Sequence, residues 1–181
     1  LIHGIPQAEA QTVFAIDFGP SPDQAFLQFD ITSPETQTII NPNYPFLNFT
    51  RGLDFDSTGT TLYGISNLTE NFGTIDTTTG IFSPIFSVTG ILSNHTSTGL
   101  SIAPTTATFY ICTVHGVGGT RPGALYSLDL NTGAATLIGR QGEAPIVGDI
   151  AINGKGEMYA NDLATDSLYS IDKTTGAATL I

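Results

Sequence analysis

The feature that most constrains this chain is a repeat at its C-terminal end. Residues 168–181 read Leu-Tyr-Ser-Ile-Asp-Lys-Thr-Thr-Gly-Ala-Ala-Thr-Leu-Ile, and a shift of about 43 residues brings them onto the very similar residues 125–138. Weaker copies begin at Phe72 and Leu27. Self-similarity at a fixed period is the signature of a repeat architecture, so it decides the fold before any local pattern does.

Each copy of this repeat consists of two β-rich runs around a turn. The turn is centred on a Thr-Gly pair in the last three copies, with Gly80, Gly133 and Gly176, and on Pro34-Glu35 in the first copy. Glycine adopts the positive φ that a tight hairpin turn requires. The sequence therefore predicts four β-hairpins with turns at these pairs.

A second repeated element precedes each hairpin and consists of two further strand-like runs. The first run starts at Gly52, Gly99 and Gly148 in the later copies. The second run carries an aromatic residue at a spacing of about 48 residues, namely Phe14, Tyr63, Tyr110 and Tyr159. Four short strands in about 40 to 50 residues are typical of a β-propeller blade.

These repeats predict an all-β chain, a β-propeller of about four four-stranded blades or part of a larger propeller. We expect a single domain over residues 1–181, with approximate blades at 1–50, 51–98, 99–147 and 148–181. Residues 1–6 make a poor innermost strand for the first blade. A closed four-bladed ring, a fragment of a larger ring, and a ring or polymer of several chains all fit this pattern.

The repeat motifs resemble those of secreted or cell-surface β-propellers from bacteria and archaea. The resemblance rests on Gly-Leu-Asp-Phe at residues 52–55, Leu-Tyr-Gly-Ile at 62–65 and the C-terminal repeat, and residues 148–159 are similar to NHL- and YVTN-type blade openings. It covers almost the whole chain from about Thr12. It implies the propeller fold, but propellers of this kind serve binding, enzymatic and structural roles alike.

Charge and cysteine content exclude several classes of function. The net charge is −11 and only five residues are basic, all of them scattered, so we expect no nucleic-acid partner and no affinity for anionic membranes. No apolar run is long enough to insert across a bilayer. The single cysteine, Cys112, rules out an intrachain disulfide, and its apolar neighbours predict a buried thiol.

Two sets of aspartates are candidates for a cation site. Asp76, Asp129 and Asp172 recur in the Asp-x-x-Thr-Gly turns, where we expect each carboxylate to accept hydrogen bonds from its own turn. A second set has oxygen ligands of the kind that calcium prefers but lacks the spacing of an EF-hand, and it comprises Asp54, Asp56, Asp149, Asp162 and Asp166. We therefore predict no cofactor, with calcium as the open alternative.

The sequence contains no recognisable catalytic constellation. His3, His95 and His115 are far apart and lack the spacing of a zinc motif, and no Gly-x-Ser-x-Gly elbow is present. We predict no metal site, no catalytic residues and no enzymatic activity. A calcium-dependent hydrolase or lyase is the weakest alternative, since only Asp54 and Asp149 would face a central channel.

Two loops could contact a ligand. One contains Tyr44 and Phe46 within Asn-Pro-Asn-Tyr-Pro-Phe, and the other is the glycine-rich loop that contains His115 and Arg121. The second loop is the longest insertion in the repeat, and inserted loops often carry binding residues. These four residues are the ligand-loop candidates for a glycan or peptide.

Three Asn-x-Thr sequons, at Asn48, Asn67 and Asn94, are candidate glycosylation sites. Together with the low charge, they favour a secreted protein. We expect an extracellular or cell-surface propeller with a structural or interaction role that self-associates, for example into a fibre, because a head-to-tail contact that does not close makes a filament. The alternative is a propeller module that binds glycans or peptides.

Overall fold

The structure, a computed structural model, describes residues 11–18, 24–42, 50–116, 122–142, 144 and 146–181. These residues form fifteen β-strands and no helix. The strands make four antiparallel sheets in which neighbours in sequence are neighbours in space. The predicted all-β propeller of four blades is therefore confirmed. The poor innermost strand expected at residues 1–6 lies outside the described residues.

The first two blades contain seven of these strands. The first blade has three described strands: β1 (Thr12–Phe18), β2 (Gln24–Asp30) and β3 (Ser33–Asn41). The second blade has four strands: β4 (Thr50–Phe55), β5 (Leu62–Ser66), β6 (Asn71–Ile75) and β7 (Phe82–Ser87).

The third and fourth blades repeat the four-stranded pattern. The third blade consists of β8 (His95–Ile102), β9 (Phe109–His115), β10 (Ala124–Leu128) and β11 (Ala135–Arg140). The fourth consists of β12 (Val147–Ile152), β13 (Met158–Asp162), β14 (Ser167–Ile171) and β15 (Ala178–Leu180). Among the described residues, no helix has the length and apolar character needed to cross a membrane.

The chain divides into two compact units. One contains residues 1–46 together with the β6–β7 turn, Asp76–Ile81, and the other contains residues 47–75 and 82–181. The second unit therefore holds the strands of the last three blades. Its inner strands β4, β8 and β12 lie side by side, so that each blade meets the next along its innermost strand.

The predicted Thr-Gly turns are confirmed in the last three blades. Gly80, Gly133 and Gly176 have φ values of 68°, 71° and 74°. Each of these glycines also lies against the outer strand of the preceding blade. A Cβ would come within 2.8 Å of Asn41 Cβ at Gly80, and within 2.7 Å of the Gly139 carbonyl oxygen at Gly176. The turn therefore needs glycine both for its backbone conformation and for the space.

The expected turn at Pro34-Glu35 is wrong. The chain turns at residues 31 and 32, where Asp30 Oδ1 accepts hydrogen bonds from the backbone N–H and the hydroxyl of Thr32, and Pro34 lies in strand β3. The register between β2 and β3 shifts beside Asp30, which marks a bulge. Proline lacks an N–H donor, and a bulged edge strand is a position in a sheet that tolerates it.

The inner strands approach each other too closely for a side chain at two positions. A Cβ on Gly52 would collide with the backbone of Leu100, and one on Gly99 would collide with the carboxylate of Asp149 and lie 2.7 Å from Cys112 Sγ. Glycine is the residue that allows such close backbone approach. The glycine at the start of the inner strand is therefore a packing requirement of the second and third blades.

Two apolar clusters fill the space between the last three blades. The cluster between the second and third blades includes Phe72, Ile111 and Tyr126. The cluster between the third and fourth includes Cys112 and Tyr169. Cys112 is fully buried, as predicted, and burial raises the pKa of its thiol, so the thiol is a core group rather than a nucleophile.

Candidate functional site

The last three blades present equivalent residues on one face, and we call each set a Tyr row. A Tyr row consists of a tyrosine on the second strand, the residue two positions later, and the cross-strand partner of that residue on the third strand. The rows are Tyr63, Ile65 and Phe72 in the second blade, Tyr110, Cys112 and Leu125 in the third, and Tyr159, Asn161 and Leu168 in the fourth.

The first two Tyr rows form blade-to-blade interfaces. Ile65 and Phe72 are buried in the cluster shared with the third blade, and Tyr63 packs against that cluster. Cys112 and Leu125 are buried in the cluster shared with the fourth blade. A face built in this way is one side of a propeller interface, and the next blade supplies the other side.

The third Tyr row is open. Leu168 is 50% exposed, Asn161 is exposed and Tyr159 is half-buried. These residues line a pocket of about 380 Å³ together with Asp149, Ile150, Ala151 and Ala160. The fourth blade therefore exposes the kind of face that the second and third blades bury. An exposed apolar face rimmed by polar groups marks an interaction site.

Asp149 stands at the inner edge of this pocket, on β12. Its Oδ1 accepts a 2.8 Å hydrogen bond from the backbone N–H of Ile150, and the carboxylate also accepts one from the backbone N–H of Leu100 in the third blade. Burial raises the pKa of Asp149 to about 7, and repulsion from the Asp54 carboxylate adds to this shift. The side chain therefore titrates near neutral pH.

Asp54 makes the corresponding link between the second and third blades. Its Oδ2 accepts hydrogen bonds from the Ser101 hydroxyl at 2.9 Å and the Ile102 N–H at 2.7 Å, and its Oδ1 accepts one from the Phe55 N–H at 2.8 Å. Burial raises the pKa of Asp54 as well. The fold thus brings together the two carboxylates that the sequence placed at the centre. A backbone N–H of the third blade donates to each of them, and the Ser101 hydroxyl donates to Asp54 as well.

The turn aspartates behave as predicted. Asp76 Oδ1 accepts hydrogen bonds from the backbone N–H groups of Thr78 and Thr79, and Asp129 and Asp172 accept equivalent bonds in their own turns. These bonds hold the pKa of each carboxyl below its usual range. Their recurrence therefore follows from the turn and requires no cation.

The other acidic candidates do not converge. Asp162 Oδ1 accepts hydrogen bonds from the backbone N–H groups of Ala164 and Thr165, and its Oδ2 accepts one from the N–H of Ile146. Among the residues that the structure describes, no three or more His, Cys, Asp or Glu side chains gather in an arrangement that could hold a metal ion.

The candidate sequons and loop residues do not form one site. Asn67 is half-buried in the β5–β6 turn, and Asn94 is exposed before β8 with a φ of 64°. Asn48, Tyr44, Phe46 and Arg121 lie outside the described residues. Glycosylation at the three sequons and ligand binding by the two loops stay predictions.

The structure brings together two histidines that the sequence left apart. His115 ends strand β9, and His95 lies directly opposite it at the start of β8. Their ring centroids are 5.2 Å apart with the ring planes at 89°. The spacing of 20 residues gives no motif, and only the register of these two strands predicts the pair.

The structure is similar to several solved propellers. A protein of unknown function from Bacteroides thetaiotaomicron matches 94% of this chain and 44% of its own chain, with a TM-score of 0.62 and 16% identity. A nidogen/laminin complex matches 93% and 60%, with a TM-score of 0.60 and 10% identity. A PQQ-bound aldose sugar dehydrogenase from Streptomyces coelicolor matches 71% and 46%, with a TM-score of 0.50 and 17% identity.

No protein-family model matches the chain, and no curated protein matches it. The chain spans about half the length of the solved structures named above. The structures named above include a sugar dehydrogenase and a nidogen/laminin complex, and each is less than 25% identical to this chain. The similarity therefore establishes the β-propeller fold and leaves the activity open.

Proposed function

We propose that this chain is a structural or interaction propeller of the extracellular space or cell surface that self-associates through the open Tyr row of its fourth blade. The observation that carries the proposal is the equivalence of the three rows. Two of them are buried against the next blade, whereas Leu168 in the third is 50% exposed. The occupant that fits this face is the sheet of a second copy of the chain.

The first blade supports a second copy as the occupant. One face of its sheet carries Ile39, which is 59% exposed, together with the half-buried Val13 and Phe29. A second copy can thus offer an apolar sheet face to the open Tyr row. Contact between two different faces is heterologous, and it produces rings when it closes and filaments when it does not.

The surface chemistry supports an extracellular location. Only 12% of the residues are charged, so attached sugar would add to solubility. Of the three sequons, Asn94 lies exposed in a turn, which is an accessible position for a glycan. The role is non-enzymatic in this proposal, because Asp54 and Asp149 each accept hydrogen bonds from their own strand and from the third blade.

The test is native mass spectrometry and light scattering of the full chain over a range of concentrations. We expect assemblies in the unmodified protein, and Leu168→Asp should weaken association by about tenfold or more, because it removes an apolar contact and places a charge in the interface. Leu130→Asp is the matched control, since Leu130 is an exposed leucine of the β10–β11 turn, away from the open row.

A monomer at every concentration would overturn self-association. An equal loss of assembly in the Leu130→Asp control would overturn the assignment of the contact to the open Tyr row. The intact mass of protein from its natural source tests the glycosylation. A mass above the 19.0 kDa of the polypeptide that falls to this value after enzymatic deglycosylation supports used sequons. An unmodified mass overturns that part of the proposal.

A further inference from the structure

Buried polar atoms without partners concentrate at one end of the third blade. Among the described residues, the buried side-chain polar atoms that lack a hydrogen-bond partner are His95 Nε2, His115 Nδ1 and both amide atoms of Gln141. Strand register brings these residues together, because His95 pairs with His115, Thr113 with Ala124, and Ala124 with Arg140. Buried polar groups are almost always satisfied, so these atoms call for a partner such as water or an ion.

The two imidazoles are positioned to share that ligand. They form a direct cross-strand pair, with ring centroids 5.2 Å apart and perpendicular planes. His95 is only 9% exposed and His115 is half-buried. Side chains directly opposite each other in an antiparallel pair have their Cβ atoms about 5 Å apart, which lets two histidines reach one ion.

The contacts of Thr113 allow the His95 tautomer in which Nε2 carries no proton. Its Nδ1 lies 2.9 Å from the hydroxyl oxygen of Thr113, and that hydroxyl lies 3.3 Å from the carbonyl oxygen of Ala124, which can only accept a hydrogen bond. With the Thr113 hydroxyl donating to Ala124, the Nδ1–H of His95 donates to Thr113. The lone pair of His95 Nε2 is then left without a donor.

We propose that His95 Nε2 and His115 Nδ1 bind a divalent transition-metal ion of the zinc or copper class, with water completing its coordination. This inference is independent of the self-association proposed above. Neutral imidazole is the common protein ligand for these metals, and a ligating histidine usually donates its other ring N–H to an oxygen, which for His95 would be the Thr113 hydroxyl oxygen.

The surrounding charges set the expected strength of the site. The guanidinium of Arg140 acts electrostatically on His95. The charge of Arg140 also repels a cation, and with two protein ligands rather than three we expect binding weaker than that of a catalytic zinc site.

The test is calorimetric titration of the full chain with zinc chloride and with copper chloride at pH 7.5. We expect one saturable site per chain, loss of that site in His115→Phe, and about tenfold weaker binding in Thr113→Val, which keeps both ligands but removes the hydrogen bond that orients His95. Arg140→Gln should bind the ion about two- to fivefold more tightly, because it removes a nearby positive charge.

His3→Ala is the matched control, since His3 is the remaining histidine of the chain and lies outside the described residues. It should leave binding unchanged. Thermal melting with and without metal separates lost binding from lost folding, because a ligand that binds the native state raises its stability. The absence of saturable binding would overturn the proposal. So would unchanged affinity in Thr113→Val and His115→Phe, which would leave ordered water as the partner of these atoms.

Discussion

Glycine and aspartate occur at both the inner strands and the outer turns of the blades, but they have different roles in the two places. At the inner strands, Gly52 is required because the next strand leaves no room for a Cβ, whereas at the outer turns Gly133 and Gly176 also supply a positive φ. Asp149 of an inner strand is buried and has a raised pKa, while Asp172 of an outer turn is exposed and has a lowered pKa. Environment, rather than residue type, decides the role.

The contrast has a thermodynamic consequence. The inner carboxylates join one blade to the next and disfavour their own charged form, so they stabilise the fold most when protonated. The outer carboxylates join only residues of their own turn and favour the charged form. The contributions of the two regions to stability should therefore change in opposite directions with pH. A substitution that adds a Cβ where there is no room should destabilise the inner region far more strongly.

The largest effect is expected for Gly52→Ala. The new methyl group would collide with the backbone of Leu100, which cannot rotate away as a flexible side chain could. We expect a loss of at least about 4 kcal/mol in unfolding free energy. Gly154→Ala is the control, because a Cβ there meets nothing within 4 Å. Urea denaturation midpoints measure both, and equal midpoints would refute the close approach of the inner strands.

The next effect is the pH dependence due to Asp149. Its pKa is about 7 in the folded protein and lower in the unfolded chain, so the native state binds more protons between about pH 4 and pH 7. Stability should therefore fall across this window, by an amount on the order of 2 to 4 kcal/mol. In Asp149→Asn this part of the slope should be absent, because the amide oxygen keeps the acceptor role without a charge.

Urea denaturation at a series of pH values measures that slope. Asp54 contributes a further fall in the same direction, since its pKa is also raised. Asp166→Asn, on the exposed β13–β14 turn, is the control and should keep the slope of the parent protein. A parent protein whose stability stays constant between pH 4 and pH 7 would show that Asp149 is not desolvated.

The smallest effect is expected in the outer turns. Asp172→Ala removes the acceptor for the backbone N–H and the hydroxyl of Thr174. The folded-state pKa of Asp172 is lowered, so its contribution is present above the ordinary carboxyl pKa and is lost as the pH falls through the folded value. The variant should have a slightly lower urea midpoint at pH 7 and match the parent in strong acid. A deficit that persists unchanged in acid would contradict this assignment.

The fold could be predicted from the sequence because the repeat shows directly which segments form the strands and turns of each blade. The Thr-Gly turns, the buried Cys112 and the turn role of Asp172 all follow from short segments in which local chemistry decides the structure. The predicted turn at Pro34-Glu35 is wrong because local chemistry does not decide its position. Its position depends on a bulge between β2 and β3, and a bulge leaves no clear mark in a single sequence.

The candidate sites depend on relations between strands, which local patterns do not contain. His95 and His115 meet through the register of β8 and β9. Leu168 matters because its equivalents, Phe72 and Leu125, are buried in the second and third blades. An alignment of the blades by strand position, rather than by motif, places Leu168 at the same position as these two residues. The contact of His95 Nδ1 with Thr113 also depends on the pairing of β8 with β9.

Because each outer turn contacts the preceding blade, the blades are repeated units that could be duplicated or lost in the gene. Gly176 fits against Gly139 as Gly80 fits against Asn41, so each outer turn contacts the outer strand of the preceding blade. Duplication of a segment one blade long would reproduce the same junction at both of its ends. Recombination could then add or remove blades while the contacts between the remaining blades stay the same.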